Sequence, residues 1–374
     1  MELYQGEESF SSFSKKYFSE NKKFGSRDRK QIAHLCYCFF RLGKAAVSWP
    51  TEEGILAGLF LNTVVSNEIL ELLRPEWNKK INSSIMEKFS MLNIQCSTVF
   101  PWKEELSEEI EYEKLCYSFF IQPDLFIRIR PRHAETVLLK LDAVRVEYEF
   151  ISPFTVRLPN SFKIDQHLEI DKEVMVQDYS SQQITGFLTN WQPATSNLQL
   201  KVWDCCAASG GKSIMAHDIN SNIELTVSDV RESILFNLKK RFERAGIKKY
   251  KSFVADLTGN QELATGNYDL IIADVPCTGS GTWGRTPEQL FYFDNKKIDA
   301  YASIQKKILG NTIPHLSKDG YLLYITCSVF KKENEENVRY LREKFNLGLV
   351  RQETLKGYDK KADTLFAALL KHSL

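Results

Sequence analysis

Two cysteines directly follow apolar runs that predict β-strands. Cys277 closes the segment that begins at Asp274 and continues Val-Pro-Cys, and Cys327 follows Thr326 at the end of the next run. A thiolate can add covalently to an electron-poor carbon and so split one difficult transfer into two easier steps. A single cysteine is more often a small buried hydrophobic residue. Two cysteines at the ends of successive strands favour covalent chemistry.

A turn of small residues, from Asp204 to Ser213, predicts a cofactor site, because small residues let the backbone approach a ligand closely. The triplet Gly211-Lys212-Ser213 looks like the end of a phosphate-binding loop, but the first glycine of that motif would fall on Cys206. Asp229 lies about 20 residues after the turn, where a carboxylate accepts ribose hydroxyls. These features predict an adenosine cofactor without a phosphate site. Because a Gly-x-Gly-x-x-Gly fingerprint is missing, they favour S-adenosylmethionine over a nicotinamide.

The elements that must position these residues alternate between strand and helix. Apolar runs that predict strands are Leu200–Asp204, Leu225–Asp229, Ser252–Asp256, Leu270–Asp274 and Tyr321–Thr326. Helical segments such as Ser233–Ala245 separate them, which predicts an α/β fold with a doubly wound, mostly parallel sheet. Four of these five runs end with aspartate. Ligands of such sheets bind beyond the carboxyl ends of the strands, so we expect the carboxylates to converge there.

The first part of the chain has a different pattern. Residues 1–115 carry apolar positions at helical spacing, for example from Ile32 to Leu42. The segment Leu125–Arg130 alternates apolar and basic residues as a half-buried strand does, and Pro131 ends it. A helix over Ala134–Leu141 and a strand near Phe154–Leu158 complete a small α+β unit of ferredoxin-like type. We therefore predict a helical domain at 1–118, the small unit at 119–168 and a catalytic domain at 169–374.

Composition narrows the class of protein. The net charge is only +1, but residues 1–45 hold nine Lys/Arg against five Asp/Glu, and the alternating segment contributes Arg128, Arg130 and Arg132. These basic groups are candidate contacts to RNA phosphates. No run of about 18 apolar residues and no secretory pattern occurs, so we expect a cytoplasmic protein without a membrane partner. The eight cysteines are then expected to be reduced, and their spacing predicts no metal site. A monomer is the default expectation.

The sequence resembles the Sun/Nop-type RNA (cytosine-5) methyltransferases, particularly the bacterial RsmB-like members that act on small-subunit ribosomal RNA. The matching segments are Gln177–Gln182, Asp204–Lys212, Asp274–Cys277, Gly281–Glu288, Thr326–Ser328 and Glu333–Glu335. The resemblance covers residues 120–374 well, and the segment from Phe24 to Arg29 looks like the start of a NusB-type helical domain. One departure is Ser209, which stands where the family usually has proline. The resemblance implies a Rossmann-like class I methyltransferase fold with a mixed sheet.

The resemblance also implies roles for individual residues. Cys327 would be the nucleophile that adds to carbon 6 of a cytosine, Cys277 would assist product release, and Asp274 would hold the base. Lys212 could favour the thiolate, since an ordinary thiol with a pKa near ~8.5 is mostly protonated at neutral pH. S-adenosylmethionine would be held by Cys206, Ala207, Ala208, Ser209, Gly210, Gly211, Lys212, Asp229, Arg231, Asp256 and Asp274.

Other functions remain open from the sequence alone. The RNA would be single-stranded or presented in a loop, because the thiolate must reach the face of the base. Ribosomal RNA is preferred through the NusB-like start, and transfer RNA is the alternative. A second alternative is that the protein is a catalytically inactive RNA-binding assembly factor, although the two cysteines argue against this function. An amino-group methyltransferase is a third, but such enzymes typically show Asn/Asp-Pro-Pro-Tyr or Phe after the fourth strand, where this chain has Asp274-Val275-Pro276-Cys277.

Overall fold

The computed structural model describes residues 3–189, 199–259 and 266–372. Its α-helices are α1 (Phe10–Glu20), α2 (Ser26–Phe40), α3 (Thr51–Asn62), α4 (Glu68–Leu73), α5 (Pro75–Asn78), α6 (Ile85–Met91), α7 (Cys96–Val99), α8 (Tyr112–Ser118), α9 (Ala134–Ala143), α10 (Ile164–His167), α11 (Tyr179–Gln183), α12 (Thr185–Leu188), α13 (Gly211–Ile219), α14 (Glu232–Ala245), α15 (Pro287–Tyr292), α16 (Lys296–Thr312) and α17 (Glu335–Phe345). Its strands are β1 (Leu125–Ile129), β2 (Glu149–Ser152), β3 (Thr155–Leu158), β4 (Val174–Val176), β5 (Leu200–Asp204), β6 (Ile223–Asp229), β7 (Tyr250–Val254), β8 (Tyr268–Asp274), β9 (Leu316–Thr326), β10 (Leu347–Leu355) and β11 (Leu365–His372). Within these described ranges, no helix combines the length and the apolar character needed to cross a bilayer.

The chain divides into two compact units. The first unit combines Met1–Pro123, Ser280–Lys297 and Tyr358–Lys361, and the second holds Asp124–Gly279, Ile298–Gly357 and Ala362–Leu374. The N-terminal helices therefore share a unit with a segment from the middle of the chain. The three-domain division drawn from the sequence stays a prediction.

The first unit is helical and has an aromatic core. Its helix α2 begins after Gly25, whose backbone N–H donates to the Asp28 carboxylate at 3.0 Å, and it buries Phe39 and Phe40 as the apolar spacing predicts. The buried Arg41 guanidinium donates to the carbonyls of Phe119 and Gly284, the latter at 2.9 Å. Burial lowers the pKa of Arg41 to about 10. This arginine therefore fastens the segment that carries Gly284 to the N-terminal helices.

The second unit begins with a small antiparallel sheet of order β2-β3-β1-β4. Helix α9 connects β1 to β2, and β3 lies between these two strands, which is the split βαβ arrangement. The predicted strand over Leu125–Arg130 and helix over Ala134–Leu141 are confirmed as β1 and α9. Strand β4, which lies beyond residue 168, completes this sheet by pairing with β1.

The large sheet of the second unit has the order β10-β11-β9-β8-β5-β6-β7. The pairs from β9 to β7 are parallel, whereas β11 is antiparallel to both β9 and β10. Helices α13 and α14 cover one face of the sheet, and α16 and α17 cover the other. The central strands are buried on both faces, so their sequences read as continuous apolar runs, whereas the edge strands β7 and β10 are more exposed. The predicted α/β fold is confirmed.

Four of the five predicted strands lie within observed strands. The third predicted strand, Ser252–Asp256, is displaced relative to the observed one. Strand β7 ends at Val254 rather than at Asp256, so Asp256 lies in the loop that follows. The carboxyl ends of β5, β6, β8 and β9 meet at one edge of the sheet, because these strands are parallel neighbours. That edge carries Asp204, Asp229, Asp274 and Thr326, which are the last residues of the four strands.

A buried ion cluster joins the small sheet to helix α13 within the second unit. The Asp218 carboxylate accepts from Arg128 Nη1 at 2.8 Å and from Arg130 Nη2 at 2.7 Å, and all three side chains are more than nine-tenths buried. Removing one partner of a buried ion pair leaves an uncompensated charge, which costs about 3–5 kcal/mol. We expect Asp218→Ala to lose that much free energy of unfolding, measured by urea denaturation.

The matched control is Glu224→Ala. Glu224 pairs with Lys251 at 2.5 Å, but the lysine side chain is 71% exposed, so solvent screens this pair. Its loss is expected to leave the urea midpoint nearly unchanged. Equal shifts for the two variants would show that the buried cluster does not stabilise the unit.

Candidate active site

The turn between β5 and α13 is held in a shape that requires small residues. Gly210 adopts φ 84°, and a Cβ placed there would meet the Phe242 ring at 2.7 Å. Ser209, which replaces the usual proline, accepts from Arg241 Nη1 through both its hydroxyl, at 2.7 Å, and its carbonyl, at 2.9 Å. Arg241 in turn pairs with the buried Asp171. The serine is therefore fixed by hydrogen bonds rather than by a proline ring.

Asp204 supports this turn from inside the sheet. Its carboxylate accepts from the Ser213 hydroxyl at 2.6 Å, and its other oxygen is buried without a hydrogen-bond partner among the described residues. Burial raises the pKa of Asp204 to about 7, and the Ser213 hydrogen bond only partly opposes this. A proton on Asp204 near neutral pH lowers the negative charge beneath the turn.

A cavity of about 380 Å³ opens at this edge of the sheet. Its lining residues are Cys205, Cys206, Ala208, Asp229, Val230, Arg231, Ala255, Asp256, Leu257, Thr258, Asp274, Val275, Pro276 and Ile308. Six of the predicted cofactor residues therefore line it: Cys206, Ala208, Asp229, Arg231, Asp256 and Asp274. The other predicted residues, Ala207, Ser209, Gly210, Gly211 and Lys212, belong to the turn but not to the lining.

The carboxylate of Asp229 is oriented by the backbone around it. It accepts from the Ala208 N–H at 3.0 Å through one oxygen and from the Arg231 N–H at 3.0 Å through the other. The second oxygen also accepts from Arg231 Nε at 3.3 Å. A carboxylate oxygen has two acceptor sites, so the oxygen that binds the Ala208 N–H retains one for a ligand hydroxyl. Sequence reasoning missed the apolar lining residues Val230, Leu257 and Ile308. The signal that the sequence offered for Val230 was its position directly after Asp229, at the end of a predicted strand.

Lys212 and Asp274 form an ion pair beside the cavity. The Lys212 ammonium lies 3.0 Å from the Asp274 carboxylate and donates to the Ser181 hydroxyl at 2.9 Å. Burial alone would lower the pKa of Lys212, but Asp274 and Cys327 outweigh that effect and raise it. The lysine therefore stays protonated and places a fixed positive charge next to the carboxylate and the thiol.

The two predicted cysteines lie together at the ends of β8 and β9. The Cys327 backbone N–H lies 3.3 Å from the Cys277 sulfur. The Cys277 thiol and burial raise the pKa of Cys327 well above its usual range, while Lys212 acts in the opposite direction. Both side chains are partly accessible as free thiols. The structure thus brings the predicted catalytic residues Cys277, Cys327, Asp274 and Lys212 into one cluster.

Glu333 fixes the loops that carry the two cysteines, and sequence reasoning gave it no role. Its carboxylate is fully buried and accepts from the Thr278 N–H at 3.0 Å, the Thr278 hydroxyl at 2.6 Å and the Ser328 hydroxyl at 2.6 Å. Gln305 donates to it from helix α16 at 2.9 Å. Each cysteine is followed directly by one of the residues that Glu333 binds. The carboxylate therefore sets the separation of the two thiols.

The arginines proposed to contact RNA occupy different environments. Arg128 and Arg130 are buried and share the single carboxylate of Asp218, so their guanidinium groups are desolvated and already bound within the protein. Groups in that state are not surface contacts for phosphates, which corrects the sequence interpretation for these two residues. The alternation of apolar and basic residues along β1 predicted an exposed basic face. In the structure, α13 covers that face. Arg132 is exposed, with φ 70°, and stays a prediction.

Among residues 3–189, 199–259 and 266–372, no group of His, Cys, Asp and Glu side chains is arranged to hold a metal ion. The polar residues of the candidate site are thus an ion pair, two thiols and three strand-end carboxylates. Such a set can hold an adenosine ligand and present a nucleophile beside it.

The fold is shared with known methyltransferase structures. The crystal structure of PH0851 superposes with a TM-score of 0.70 at 20% identity and covers 95% of this chain and 93% of that one. The structure of NSun6 from Pyrococcus horikoshii with SFG gives a TM-score of 0.59 at 16% identity, over 73% of this chain and 97% of that one. Together with the sheet order and the cavity at the strand ends, this likeness defines a Rossmann-like methyltransferase fold.

Residues 193–368 match the family model described as 16S rRNA methyltransferase RsmB/F. Ribosomal RNA small subunit methyltransferase B of Proteus mirabilis (strain HI4320) is 27% identical over 226 residues, which are 58% of this chain and 51% of that protein. The protein of that name from Enterobacter sp. (strain 638) is 30% identical over 165 residues, 44% of this chain and 37% of that protein. These matches support a relation between this part of the chain and the Sun/RsmB-type methyltransferases, as the sequence resemblance predicted. The chain spans between about a third and a half of the length of these relatives.

Proposed function

We propose that the protein is an S-adenosylmethionine-dependent RNA methyltransferase that modifies carbon 5 of a cytosine, with small-subunit ribosomal RNA as substrate. The observation that carries this proposal is the cysteine pair, with Cys327 N–H 3.3 Å from the Cys277 sulfur, next to the pair Lys212–Asp274. The names of the relatives, which are methyltransferases of ribosomal RNA, support the choice of substrate.

The cavity fits the cofactor. Its volume of about 380 Å³ lies within the range of about 300–1,000 Å³ that small-molecule sites usually have. Asp229 keeps an acceptor site for a ribose hydroxyl on the oxygen that binds the Ala208 N–H. Asp256 lies in the loop after β7, where the Thr258 hydrogen bonds lower its pKa and keep it charged. S-adenosylmethionine, when bound, supplies an electrophilic methyl group on a sulfonium sulfur.

Cys327 provides the nucleophile in this proposal. Carbon 5 of cytosine is a poor nucleophile, but addition of the Cys327 thiolate to carbon 6 forms a carbon–sulfur bond and makes carbon 5 electron-rich. Lys212 opposes the effects that raise the pKa of Cys327, so its ammonium lowers the cost of forming the thiolate. The thiol proton must leave Cys327 before addition, and the ring nitrogen of the base takes up a proton as the thiolate adds to carbon 6. The need for a thiolate limits the reaction at low pH.

Asp274 and Cys277 complete the sequence of steps. Asp274 accepts from the ring nitrogen, once protonated, and the exocyclic amine of the base and so counters the charge that develops on addition. As carbon 5 bonds to the methyl group, the bond from that group to the sulfonium sulfur breaks. Cys277, as a thiolate, then takes the proton from carbon 5, the bond between carbon 6 and Cys327 breaks, and Cys327 leaves as a thiolate. The bond from carbon 6 to Cys327 forms once and breaks once, so the enzyme is regenerated after Cys277 returns its proton to solvent.

The substrate must present its cytosine outside a stacked duplex. Addition to carbon 6 requires approach from above the ring, which neighbouring bases block in a helix. An unpaired segment or a loop of RNA fits this requirement. The exposed Arg132 and the basic N-terminal residues are proposed to contact its phosphates, in place of the buried Arg128 and Arg130.

The test is methyl transfer by the purified protein. Methyl-labelled S-adenosylmethionine is incubated with total RNA from cells that lack the protein, and the RNA is digested to nucleosides. We expect the label in 5-methylcytidine and in the small-subunit ribosomal fraction. Label in transfer RNA would show that the substrate is transfer RNA rather than ribosomal RNA. Label on an amino nitrogen or in protein would contradict the proposed methylation of carbon 5 of cytosine.

A further inference from the structure

A second cavity lies in the same unit, on the side of helix α11 that faces the small sheet and β10. It has a volume of about 250 Å³, and among the described residues it shares no lining residue with the cofactor cavity. We call it the flanking pocket. Its lining residues are Arg128, Ser152, Phe154, Thr155, Gln182, Gln183, Thr185, Gly186, Arg351, Glu353 and Leu355.

The lining of the flanking pocket combines one exposed aromatic ring with side chains that donate and accept hydrogen bonds. Phe154 is 55% exposed, although it lies in the hairpin between β2 and β3. Arg351 lies 4.3 Å from the centre of the Phe187 ring and pairs with the Glu353 carboxylate at 2.5 Å. An unpaired nucleobase uses these two features, a flat face to stack and an edge with donors and acceptors.

A buried arginine also belongs to the lining. Arg128 is 7% exposed, and its Nη2 has no hydrogen-bond partner among the described residues. Its other nitrogens donate to Gln177, at 3.0 Å, and to Asp218, at 2.8 Å. Nη2 itself has almost no accessible surface, but Arg128 is one of the lining residues, and its positive charge favours an acceptor atom of a ligand in the cavity. A base carbonyl or ring nitrogen is such an acceptor.

The flanking pocket is connected to the candidate active site by hydrogen bonds. Arg128 Nε donates to the Gln177 side-chain oxygen, and the Gln177 amide donates to the Ser181 hydroxyl at 3.1 Å. Lys212 donates to the same hydroxyl at 2.9 Å and pairs with Asp274. Ser181 and Gln182 are adjacent on α11, so one helix presents a residue to each site. The two sites therefore lie on the two sides of one short helix.

We propose that the flanking pocket binds an unpaired base of the RNA that neighbours the target cytosine. This inference rests on the proposed function, because it needs RNA at the active site. The size of the cavity supports a single base, since sites for larger ligands usually exceed about 300 Å³. The base would stack on Phe154 and direct its edge towards Gln183 and Arg128.

The test compares two phenylalanines of one hairpin. Phe154 lines the pocket, while Phe150 lies in β2, is 46% exposed and does not line it. Affinity is measured by anisotropy with a short fluorescein-labelled single-stranded RNA of mixed sequence. We expect Phe154→Ala to weaken RNA binding roughly 5- to 150-fold, the range of one base–aromatic stack. Phe150→Ala should bind as the unchanged protein does, and both variants should bind S-adenosylmethionine normally.

Photo-crosslinking separates this inference from the proposed function. RNA that contains 5-iodouridine is irradiated with the protein, and the crosslinked peptide is identified by mass spectrometry. Loss of a Phe154 crosslink in Phe154→Ala supports the pocket even if no methyl transfer is found, in which case only the proposed function fails. Equal RNA affinity of Phe154→Ala and the unchanged protein, or an equal loss in Phe150→Ala, would overturn the flanking pocket.

Discussion

Cys327→Ala is expected to lose methyl transfer to RNA by on the order of a thousandfold or more, while RNA binding and S-adenosylmethionine binding persist. In the proposed reaction, the Cys327 thiol supplies the covalent step that makes carbon 5 reactive, so no partial route remains once it is removed. The side chain is small, and its loss leaves Glu333 and the loop contacts of Thr278 and Ser328 in place. Label transferred to RNA is measured against time under single-turnover conditions.

The control for this variant is Cys36→Ala. Cys36 is a free thiol in helix α2 of the first unit and does not line the cofactor cavity. Its substitution should leave the rate of methyl transfer unchanged. If Cys327→Ala transferred methyl groups at an ordinary rate, the role assigned to this thiol would be wrong, and the nucleophile would have to be sought elsewhere in the site.

The sequence predicted the cysteine pair because strand ends of a parallel sheet converge. Cys277 and Cys327 are separated by 50 residues in the chain, but each follows a strand, and β8 and β9 are neighbours. The same reasoning brought Asp204, Asp229 and Asp274 to one edge. The hydrophobic runs and the residues that end them were sufficient to predict which residues meet at this edge of the sheet.

Side-chain pairing could not be predicted in the same way. Arg128 and Arg130 alternate with apolar residues, which indicates a polar face, but alternation does not say what covers that face. Asp218, 90 residues from Arg128, covers it here. Glu333 was part of a recognised segment, but its contacts with Thr278 and Ser328 depend on the loop geometry. Long-range polar contacts of this kind carry no periodic signal.

The sequence predicted that the strands exist more accurately than it predicted the residues at which they end. Asp256 was placed at the end of the third strand, whereas β7 ends two residues earlier and Asp256 caps the following turn through Thr258. The residue still lines the cofactor cavity. A local hydrogen bond from a threonine competes with the sheet at such positions, and this competition shifts the boundary.

Cys277→Ala should allow methyl transfer to occur once and then stop, with a covalent protein–RNA adduct that accumulates. In the proposed reaction, the carbon–sulfur bond to Cys327 breaks only after a base removes the proton from carbon 5. The Cys277 sulfur lies next to the Cys327 backbone and is proposed as that base. Without it, the methylated base stays bound to the enzyme. Denaturing gels of the variant with labelled RNA should show a slowly migrating band that resists heating in detergent.

The double variant Cys277→Ala with Cys327→Ala is the control for this adduct, because it lacks the thiol that forms the bond. We expect no slowly migrating band from it. A band that persists in the double variant would place the covalent bond on another residue, and steady turnover by Cys277→Ala would assign proton removal to a group other than this thiol. The Asp274 carboxylate, which remains 26% exposed beside Lys212, is the nearest alternative on the strand that precedes Cys277.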